Sequence, residues 1–270
     1  MNNKASARAR LSFSAIALLT AVVIIVALVR NISASPPHAR SGLIIGNLGG
    51  VPVAIPRAYA HFVEYDGDPY FMESRDRSPP KRTYHSRIRS FGFEIRYPDM
   101  APLTDQTERQ KKTENIYTTT WLFVGINSNS HYAGDNPLES HINYIVSLEQ
   151  KIPPYRYTKS PDTTYGLTVY IPEGFDESKR SNPVTASYDD RNVYFHRNPN
   201  GEADVYIECS NVTHAAGRCK LRFNTAPLLR ANISVSFRKG LLPHWQEIQS
   251  SVTKVILGFR ADQSSPAQGK

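Results

Sequence analysis

Three carboxylates lie close together in the segment EYDGDP, residues 64–69, and their spacing could serve a metal site. Carboxylates spaced as Asp66 and Asp68 are hard oxygen ligands for calcium, and the glycine between them permits a tight turn. The series ends at Pro69, and no glutamate follows where a helix–loop–helix calcium loop requires one. We therefore expect an Asp-Gly turn whose acids accept hydrogen bonds from backbone amides, and no metal.

A second group of titratable residues lies in HYAGDNPLESH, residues 131–141. Two histidines, His131 and His141, flank an aspartate and a glutamate, which superficially indicates a metal or acid–base site. They are separated by a glycine and a proline, and the segment lacks the H-E-x-x-H pattern that fixes zinc ligands on one helix. The polar composition predicts solvated loop residues.

The sequence contains no local signature of a catalytic nucleophile. It has no G-x-S-x-G elbow, and its glycines form neither of the common phosphate-binding loops. We therefore predict a binding protein that is not an enzyme and has no catalytic residues, metal or cofactor. A hydrolase with a dispersed Ser/His/Asp site stays an alternative, because such a site leaves no local pattern.

The two cysteines lie in strand-like surroundings. Apolar and polar residues alternate through 205–209 and again through 219–223, and a polar segment containing a glycine joins the two runs. This pattern predicts a hairpin with Cys209 and Cys219 on its apolar face, where a disulfide is geometrically reasonable. The loop it closes is short, so the bond should contribute about 2–3 kcal/mol. Two buried thiols are the alternative.

A binding protein needs aromatic and arginine anchors on loops that a rigid sheet positions. Three segments provide them: residues 65–71, the cationic residues 73–90, and the Tyr- and Pro-rich residues 153–165. We expect residues 73–90 to form an exposed extended loop. The predicted contact residues are Tyr65, Asp66, Asp68, Tyr70, Arg75, Arg77, Arg82, Tyr155 and Tyr157. Ordinary solvated loops are the alternative for each segment.

A hydrophobic leader precedes these segments. Three cations come before the uncharged residues 11–29, which as a helix would span roughly 28 Å, the hydrocarbon thickness of a bilayer. Cations on its amino side predict a cytoplasmic N-terminus and a single membrane pass, with the rest of the chain outside. A cleaved signal peptide is the alternative, because residues 32–35 are small enough for a cleavage site.

Length and charge bound the remainder. The chain has 270 residues and a net charge of +8. Four of its cations belong to the leader, which leaves +4 for the rest. The exported part is thus only mildly basic, and we predict no binding of nucleic acid. We divide the chain into an anchor (1–30), a linker (31–42), a globular domain (43–260) and a flexible tail (261–270). The domain could comprise two lobes, 43–150 and 151–260, or one continuous sheet.

Most of the globular part shows strand patterns. Two apolar runs around Gly49-Gly50 predict a strand–turn–strand unit, and residues 91–96 alternate with period two. Residues 116–127 are dense in β-branched and aromatic side chains and predict a central strand. Further strands are predicted at 164–172, 191–198 and 232–237, besides the cysteine hairpin.

Two helices are predicted. Threefold apolar spacing indicates a short helix at 141–151, and a longer apolar stripe follows Pro243 up to Phe259. A polar linker containing Lys111 and Lys112 precedes the predicted central strand. The sequence therefore predicts an α+β fold, in which helices pack an antiparallel sheet and one of them is an amphipathic C-terminal helix.

Two segments carry a resemblance to a known family. NLGGVPVAIP…AHFVEYDGDP (residues 47–69) and SFGFEIRYPDM (residues 90–100) resemble periplasmic immunity proteins that protect bacteria from their own type VI secretion phospholipase effectors. The resemblance implies a cognate lipase or phospholipase as partner and a location at the bacterial inner membrane, with the globular domain in the periplasm. It also implies that a loop plugs the toxin's active site, where Asp66 and Asp68 would mimic the charge of phosphate.

The C-terminal segment carries a second, purely architectural resemblance. The order of strand and helix in ISVSF…LLPHWQEIQSSVTKVILGF is similar to the end of the PsbP-like fold, which implies nothing about function. The alternative to an inhibitor is a structural or accessory envelope protein of a secretion machine, which would use the same surfaces on another partner.

Overall fold

The computed structural model describes residues 42–69, 80–151, 156–173, 191–211 and 217–261. The predicted anchor, almost all of the linker and the tail beyond residue 261 lie outside these ranges. Within the described ranges, no helix has both the length and the apolar character that crossing a bilayer needs. The described residues have the predicted α+β fold, with a large antiparallel sheet and three helices.

Ten strands form the sheet, and two more pair as a separate hairpin. In chain order the strands are β1 Leu43–Leu48, β2 Val51–Pro56, β3 His61–Tyr65, β4 Ile88–Arg96, β5 Ala101–Pro102, β6 Trp121–Ser128, β7 Tyr157–Lys159, β8 Thr168–Pro172, β9 Arg191–Arg197, β10 Ala203–Ser210, β11 Arg218–Asn224 and β12 Ala231–Arg238. The sheet order is β3-β4-β6-β12-β11-β10-β9-β8-β7, with β5 beside β4, while β1 and β2 form the hairpin. Because β6 pairs with β12, one sheet draws on both halves of the chain.

The structure corrects the strand predictions at their ends. The central strand begins at Trp121, because residues 115–118 form a turn that leaves Ile116 exposed. The predicted cationic loop is wrong over its last three residues, which open β4. Arg89 is buried there, and its Nε lies 3.3 Å from Glu64 Oε2. This arginine, which was predicted to lie in a loop, is therefore held in a strand by a carboxylate of the neighbouring strand.

The first helix, α1 (Asp105–Thr113), was predicted to be a polar linker, and that prediction is wrong. Its start is fixed by a reciprocal cap: Thr107 N donates to Thr104 Oγ1 (3.3 Å), and Thr104 N donates to Thr107 Oγ1 (2.7 Å). Asp105 lies in the first turn and Lys111 in the last, which suits the helix dipole. No residue of α1 is buried, and its sequence has no apolar stripe from which the helix could have been predicted.

The second helix, α2 (Pro137–Ser147), begins and ends earlier than predicted, and residues 148–150 continue as a 3-10 turn. Glu139 therefore lies on a helix, which corrects the prediction that it is a loop residue, whereas His141 lies within the predicted helix and is exposed. The Glu139 carboxylate binds Arg197 at 2.6 and 2.8 Å, and the His141 ring stacks on Tyr206 at 5.2 Å.

The predicted C-terminal helix is confirmed as α3 (Trp245–Leu257). Pro243 lies in the 3-10 turn that leads into it, Lys239–His244. Helix α3 and the β1–β2 hairpin cover one face of the sheet and bury alternate residues of its central strands. Helix α2 covers the other face over β7–β10 only. The rest of that second face lies on β4, β6, β12 and β11, and α1 meets it at β4, where Lys111 pairs with Glu94.

Candidate functional site

The part of the second face that α2 leaves uncovered forms a cleft of about 600 Å³. Strands β4, β6, β12, β11 and β10 supply its floor, and Lys111 of α1 lies at one rim. We call this site the basic cleft and define it by the charged and aromatic side chains that line it. These are Glu94, Lys111, Trp121, Phe123, Arg191, Glu208, Arg218, Lys220 and Arg238.

Strand register arranges these side chains in rows across the sheet. One row runs Glu94, Phe123, Ser236, Lys220 and Glu208, each directly opposite the next. In the neighbouring row Arg218 lies opposite Arg238, and Ser210 lies opposite Arg191. Residues far apart in the sequence therefore meet because side chains on adjacent strands line up on one face.

In a third row, two glycines provide no side chain above the sheet. Gly92 and Gly125 lie opposite each other, and Ser234 follows on the next strand. A Cβ atom on Gly92 would lie 3.2 Å from the ring of Phe123, and one on Gly125 would lie 2.9 Å from Ser234 Oγ. The missing side chains let the Phe123 ring lie on the sheet, where 45% of the residue stays exposed to the cleft.

The cleft has an excess of positive charge. Five cationic side chains and two carboxylates line it, which leaves a surplus of three positive charges. Both carboxylates are already paired. Lys111 Nζ lies 2.6 Å from Glu94 Oε2, while Glu208 Oε2 lies 2.9 Å from Arg222 Nη1 and 3.3 Å from Arg191 Nη1.

The surplus is concentrated on β11 and β12. Arg218 and Arg238 lie directly opposite each other, an arrangement of like charges that destabilises a sheet. Burial lowers the pKa of Arg238, and the charge of Arg218 lowers it further. Burial also lowers the pKa of Lys220, with Arg222 and Arg191 adding to the effect and Glu208 opposing it.

A buried hydroxyl group adjoins these cations. Ser210 is 7% exposed and lines the cleft, and its Oγ has no hydrogen-bond partner among the described residues. Buried polar atoms are usually hydrogen-bonded, because losing water without a replacement costs about 1–3 kcal/mol.

The predicted disulfide is confirmed and lies at the base of the cleft. Cys209 and Cys219 are cross-strand neighbours, joined by a bond and buried on the apolar face. The bond ties β10 to β11, so it fixes the strands that carry Ser210 on one side and Lys220 on the other.

The EYDGDP turn lies elsewhere, at the β3 edge of the sheet, and each of its carboxylates pairs with an arginine. Glu64 pairs with Arg89, Asp66 lies 3.1 Å from Arg87 Nε, and Asp68 pairs with Arg82. Asp68 Oδ2 also accepts a hydrogen bond from Tyr65 N at 3.1 Å, as expected for an Asp-Gly turn that caps its own backbone.

The two described tyrosines of the predicted contact set are buried. Tyr65 donates its hydroxyl hydrogen to Ile45 O at 2.8 Å, and the Arg82 guanidinium lies 4.1 Å above its ring. Tyr157 lies on β7 at the opposite edge of the sheet and packs in the cluster under α2. The structure thus brings Tyr65, Asp66, Asp68 and Arg82 together, apart from Tyr157. The other predicted contacts, Tyr70, Arg75, Arg77 and Tyr155, lie outside the described residues.

The sequence interpretation did not select the basic residues of the cleft. Lys220 and Arg222 were recognised only as the polar positions of an alternating strand. The run of Arg218, Lys220 and Arg222 at every second position was the available signal, because a half-buried strand with cations along one face is uncommon. Within the described ranges, no group of three or more His, Cys, Asp or Glu residues could hold a metal ion.

Comparison with known proteins shows a similar fold. No protein-family model matches the chain, and no curated protein matches it significantly. Smlt3025, an immunity protein of the Stenotrophomonas maltophilia type IV secretion system, superposes with a TM-score of 0.51 at 18% identity, over 82% of this chain and 94% of that one. The iron-regulated outer membrane lipoprotein FrpD of Neisseria meningitidis gives a TM-score of 0.41 at 12% identity, over 84% and 96% of the two chains, which is too low to support a conclusion. The chain therefore shares its fold with an immunity protein of a bacterial secretion system.

Proposed function

We propose that this chain is an inhibitory binding protein of the bacterial envelope, which neutralises a secreted toxin by binding it. The observation that carries the proposal is the basic cleft, where a surplus of three positive charges and an exposed aromatic ring lie on a rigid sheet. Arginine and large aromatic side chains are the common anchors of protein interfaces. The shared fold with a secretion-system immunity protein supports the same interpretation.

The cleft selects an acidic partner segment. Its two carboxylates are engaged with Lys111 and with two arginines, so among the described residues the lining keeps a surplus of positive charge. Complementary charge speeds encounter and fixes the orientation in which two proteins bind. A partner segment that carries Asp or Glu beside an apolar residue would fit the charges and Phe123 together.

More specifically, we propose that the partner is a phospholipase and that binding blocks access to its active site. The support is the resemblance of residues 47–69 and 90–100 to immunity proteins of type VI phospholipase effectors. The similar structure belongs to a type IV system, so the toxin rather than the secretion machine is the core of this proposal. The hydrophobic leader and the disulfide support a periplasmic site of action, reached by an anchor or after cleavage.

The EYDGDP turn is proposed as a second contact, separate from the cleft, together with Tyr70, Arg75, Arg77 and Tyr155. Asp66 and Asp68 are paired with arginines of the same chain, so they would contact a toxin through the acceptor positions that these pairs leave or by exchanging the arginines for toxin groups. Tyr65 and Tyr157 are buried, so we propose that they support the contact surface from beneath it.

The test is protection from a defined toxin. The full chain with its leader is produced in a bacterium that carries a periplasmic phospholipase encoded beside its gene, and survival is measured together with phospholipid hydrolysis by the purified pair. We expect survival and loss of hydrolysis. A version without residues 1–30 stays in the cytosol and should not protect, which makes it the matched control. Undiminished hydrolysis at a saturating ratio would refute the proposal.

A further inference from the structure

Phe62, on the edge strand β3, combines two features that each cost free energy. The residue is 87% exposed, so nearly all of a large apolar side chain lies in water. Its backbone has a φ of +50°, in the left-handed region that residues with a bulky side chain rarely adopt. Backbone strain of this kind clusters at functional sites. Phe62 is therefore a candidate for a contact with another molecule.

A β-bulge holds this side chain at the outer edge of the sheet. His61 lies opposite Gly92 and Glu64 lies opposite Ser90, so two residues of β3 span a single residue of β4. The extra residue disrupts the regular ladder of the edge strand, which discourages pairing with a strand of another protein. A partner at this edge would therefore bind side chains rather than add a strand.

The β1–β2 hairpin brings a second exposed apolar residue to the same edge. The hydroxyl group of Tyr65, on β3, donates to Ile45 O of β1 at 2.8 Å, which places the beginning of β1 beside the edge strand. Leu43 lies two residues before Ile45 and is exposed. Arg57 is also exposed, and its backbone N donates to Gly42 O at 3.2 Å. An apolar side chain and a cation thus lie together near β3.

The segment before β4 adds a third exposed apolar residue. Arg82 lies over the ring of Tyr65 and pairs with Asp68, so this segment also lies at the β3 edge. Tyr84 follows Arg82 by two residues, Lys81 precedes it, and both are exposed. Exposed apolar side chains and cations therefore alternate along one edge of the molecule.

The edge and the adjoining EYDGDP turn carry a net positive charge. The carboxylates are Glu64, Asp66 and Asp68, and the cations are Arg57, Lys81, Arg82, Arg87 and Arg89. Each carboxylate already pairs with an arginine, so the turn does not present free negative charge beside the exposed aromatic rings. Cations beside exposed aromatic and aliphatic side chains are typical of proteins that bind the surface of an anionic bilayer.

The sequence also brings a bilayer within reach of this edge. The described domain begins at residue 42, directly before Leu43, and the uncharged residues 11–29 come shortly before it in the chain. Residues 31–42 span at most about 40 Å when fully extended. A chain that is anchored by residues 11–29 would therefore keep Leu43 close to the lipid headgroups.

We propose that the β3 edge, formed by Leu43, Arg57, Phe62, Lys81 and Tyr84, is a lipid-binding surface for an anionic bilayer. This inference rests on the envelope location in the proposed function. The aromatic rings enter the headgroup level, where amphipathic and aromatic side chains are favoured, and the two cations pair with lipid phosphates. The contact would hold the domain in one orientation at the surface on which a phospholipase acts.

NMR of the full chain in lipid nanodiscs tests this surface. The discs contain phosphatidylethanolamine and phosphatidylglycerol, with or without a small share of lipid that carries gadolinium on its headgroup. We expect the gadolinium to broaden the backbone amide signals of Leu43, Phe62 and Tyr84. The signals of Tyr144 and Ile171, which are exposed on α2 and β8, should stay sharp. Broadening of neither group, or of both groups equally, would overturn the assignment.

The variant Phe62→Asn isolates the side chain from the bulge. Asparagine tolerates the left-handed region, so the fold should be kept, and thermal melting checks this. Loss of the apolar ring should lower the ratio of lipid-bound to free orientations about tenfold, which reduces the broadening at Leu43 and Tyr84. The matched control Tyr144→Asn removes an exposed ring from α2 and should leave the broadening unchanged. A folded Phe62→Asn chain with undiminished broadening at Leu43 and Tyr84 would overturn the proposal.

Discs of phosphatidylcholine separate charge from apolar contact. Without anionic lipid, the broadening at the β3 edge should fall severalfold, because Arg57 and Lys81 lose their attraction to the surface. Undiminished broadening would refute the part of the proposal that assigns these two cations to lipid phosphates.

A protein is the other possible occupant of this edge. Signals of the β3 edge that ignore the lipid but shift when the purified toxin is added would overturn the lipid assignment and give the edge to the toxin. The nanodisc experiment contains no toxin, so the lipid contact can fail while the chain still protects cells. Conversely, broadening at the β3 edge without any protection would refute the proposed function and leave the lipid contact intact.

Discussion

Two charged regions of this molecule are built in opposite ways. In the EYDGDP turn each of three carboxylates pairs with its own arginine, and one of these arginines, Arg82, also lies over the ring of Tyr65. In the basic cleft, cations outnumber carboxylates, and two arginines face each other across adjacent strands. Balanced pairs support a fold, whereas like charges that face each other cost stability. The two regions therefore affect stability with opposite signs, while binding at either of them belongs to the proposed function.

The largest expected effect concerns the disulfide between the two strands beneath the cleft. Changing both cysteines, Cys209→Ser and Cys219→Ser, removes a bond that closes a loop of ten residues and should lower the free energy of unfolding by about 2–3 kcal/mol. Urea denaturation of the variant, compared with the wild type under oxidising conditions, measures this. A difference below about 0.5 kcal/mol would mean that the strands hold their spacing without the bond.

The balanced turn should lose stability when one partner is removed. Arg82→Met keeps the length of the side chain but removes the charge beside Asp68 and the cation over Tyr65. We expect a loss of about 1–2 kcal/mol in urea denaturation, because a partly buried carboxylate loses its partner. The control Arg109→Met changes an exposed arginine of α1 and should stay within about 0.5 kcal/mol of the wild type.

The unbalanced cleft should respond with the opposite sign. Arg218→Gln removes one of two facing like charges, so the free energy of unfolding should rise by about 0.2–1 kcal/mol. Thermal and urea melts measure this change. A variant that loses stability would show that Arg218 is held by favourable contacts, and the contrast between the two regions would then fail.

The smallest expected effect depends on pH. The hydrogen bond from Ser90 lowers the pKa of Glu64, and Arg89 lowers it further, against the effect of burial. The folded pKa is below the unfolded value, so this contribution to stability is present above about pH 4.5 and is lost as the pH falls through the folded pKa. Glu64→Gln should therefore cost a few tenths of a kcal/mol at pH 7, because the side chain is 45% exposed. The difference from the wild type should shrink in melts below pH 4.

Local patterns predicted much of the fold. Period-two alternation gave the β10–β11 hairpin and its disulfide, and the spacing of apolar residues gave α3. The same reasoning missed α1, because that helix buries nothing and is fixed by the cap between Thr104 and Thr107. It also missed the burial of Arg89, because its partner Glu64 lies on another strand, 25 residues away in sequence.

The basic cleft could not be derived from sequence for a related reason. Arg218 and Arg238 become neighbours only through the pairing of β11 with β12, and the pairing of β12 with β6 places Phe123 opposite Ser236 on the same sheet. Spacing within one strand gives the face on which a side chain lies but not the residue opposite it, since register is a property of two strands. The turn was predictable because its acids and its glycine are adjacent in the chain.

The facing pair of arginines has a consequence for the response to dissolved salt. Electrolyte screens repulsion and attraction alike, so it lowers the cost of the facing arginines and also weakens the attraction of the cleft for the acidic partner that we propose. Both changes favour release. If the proposed complex forms, it should therefore be tighter in a dilute medium than in brine.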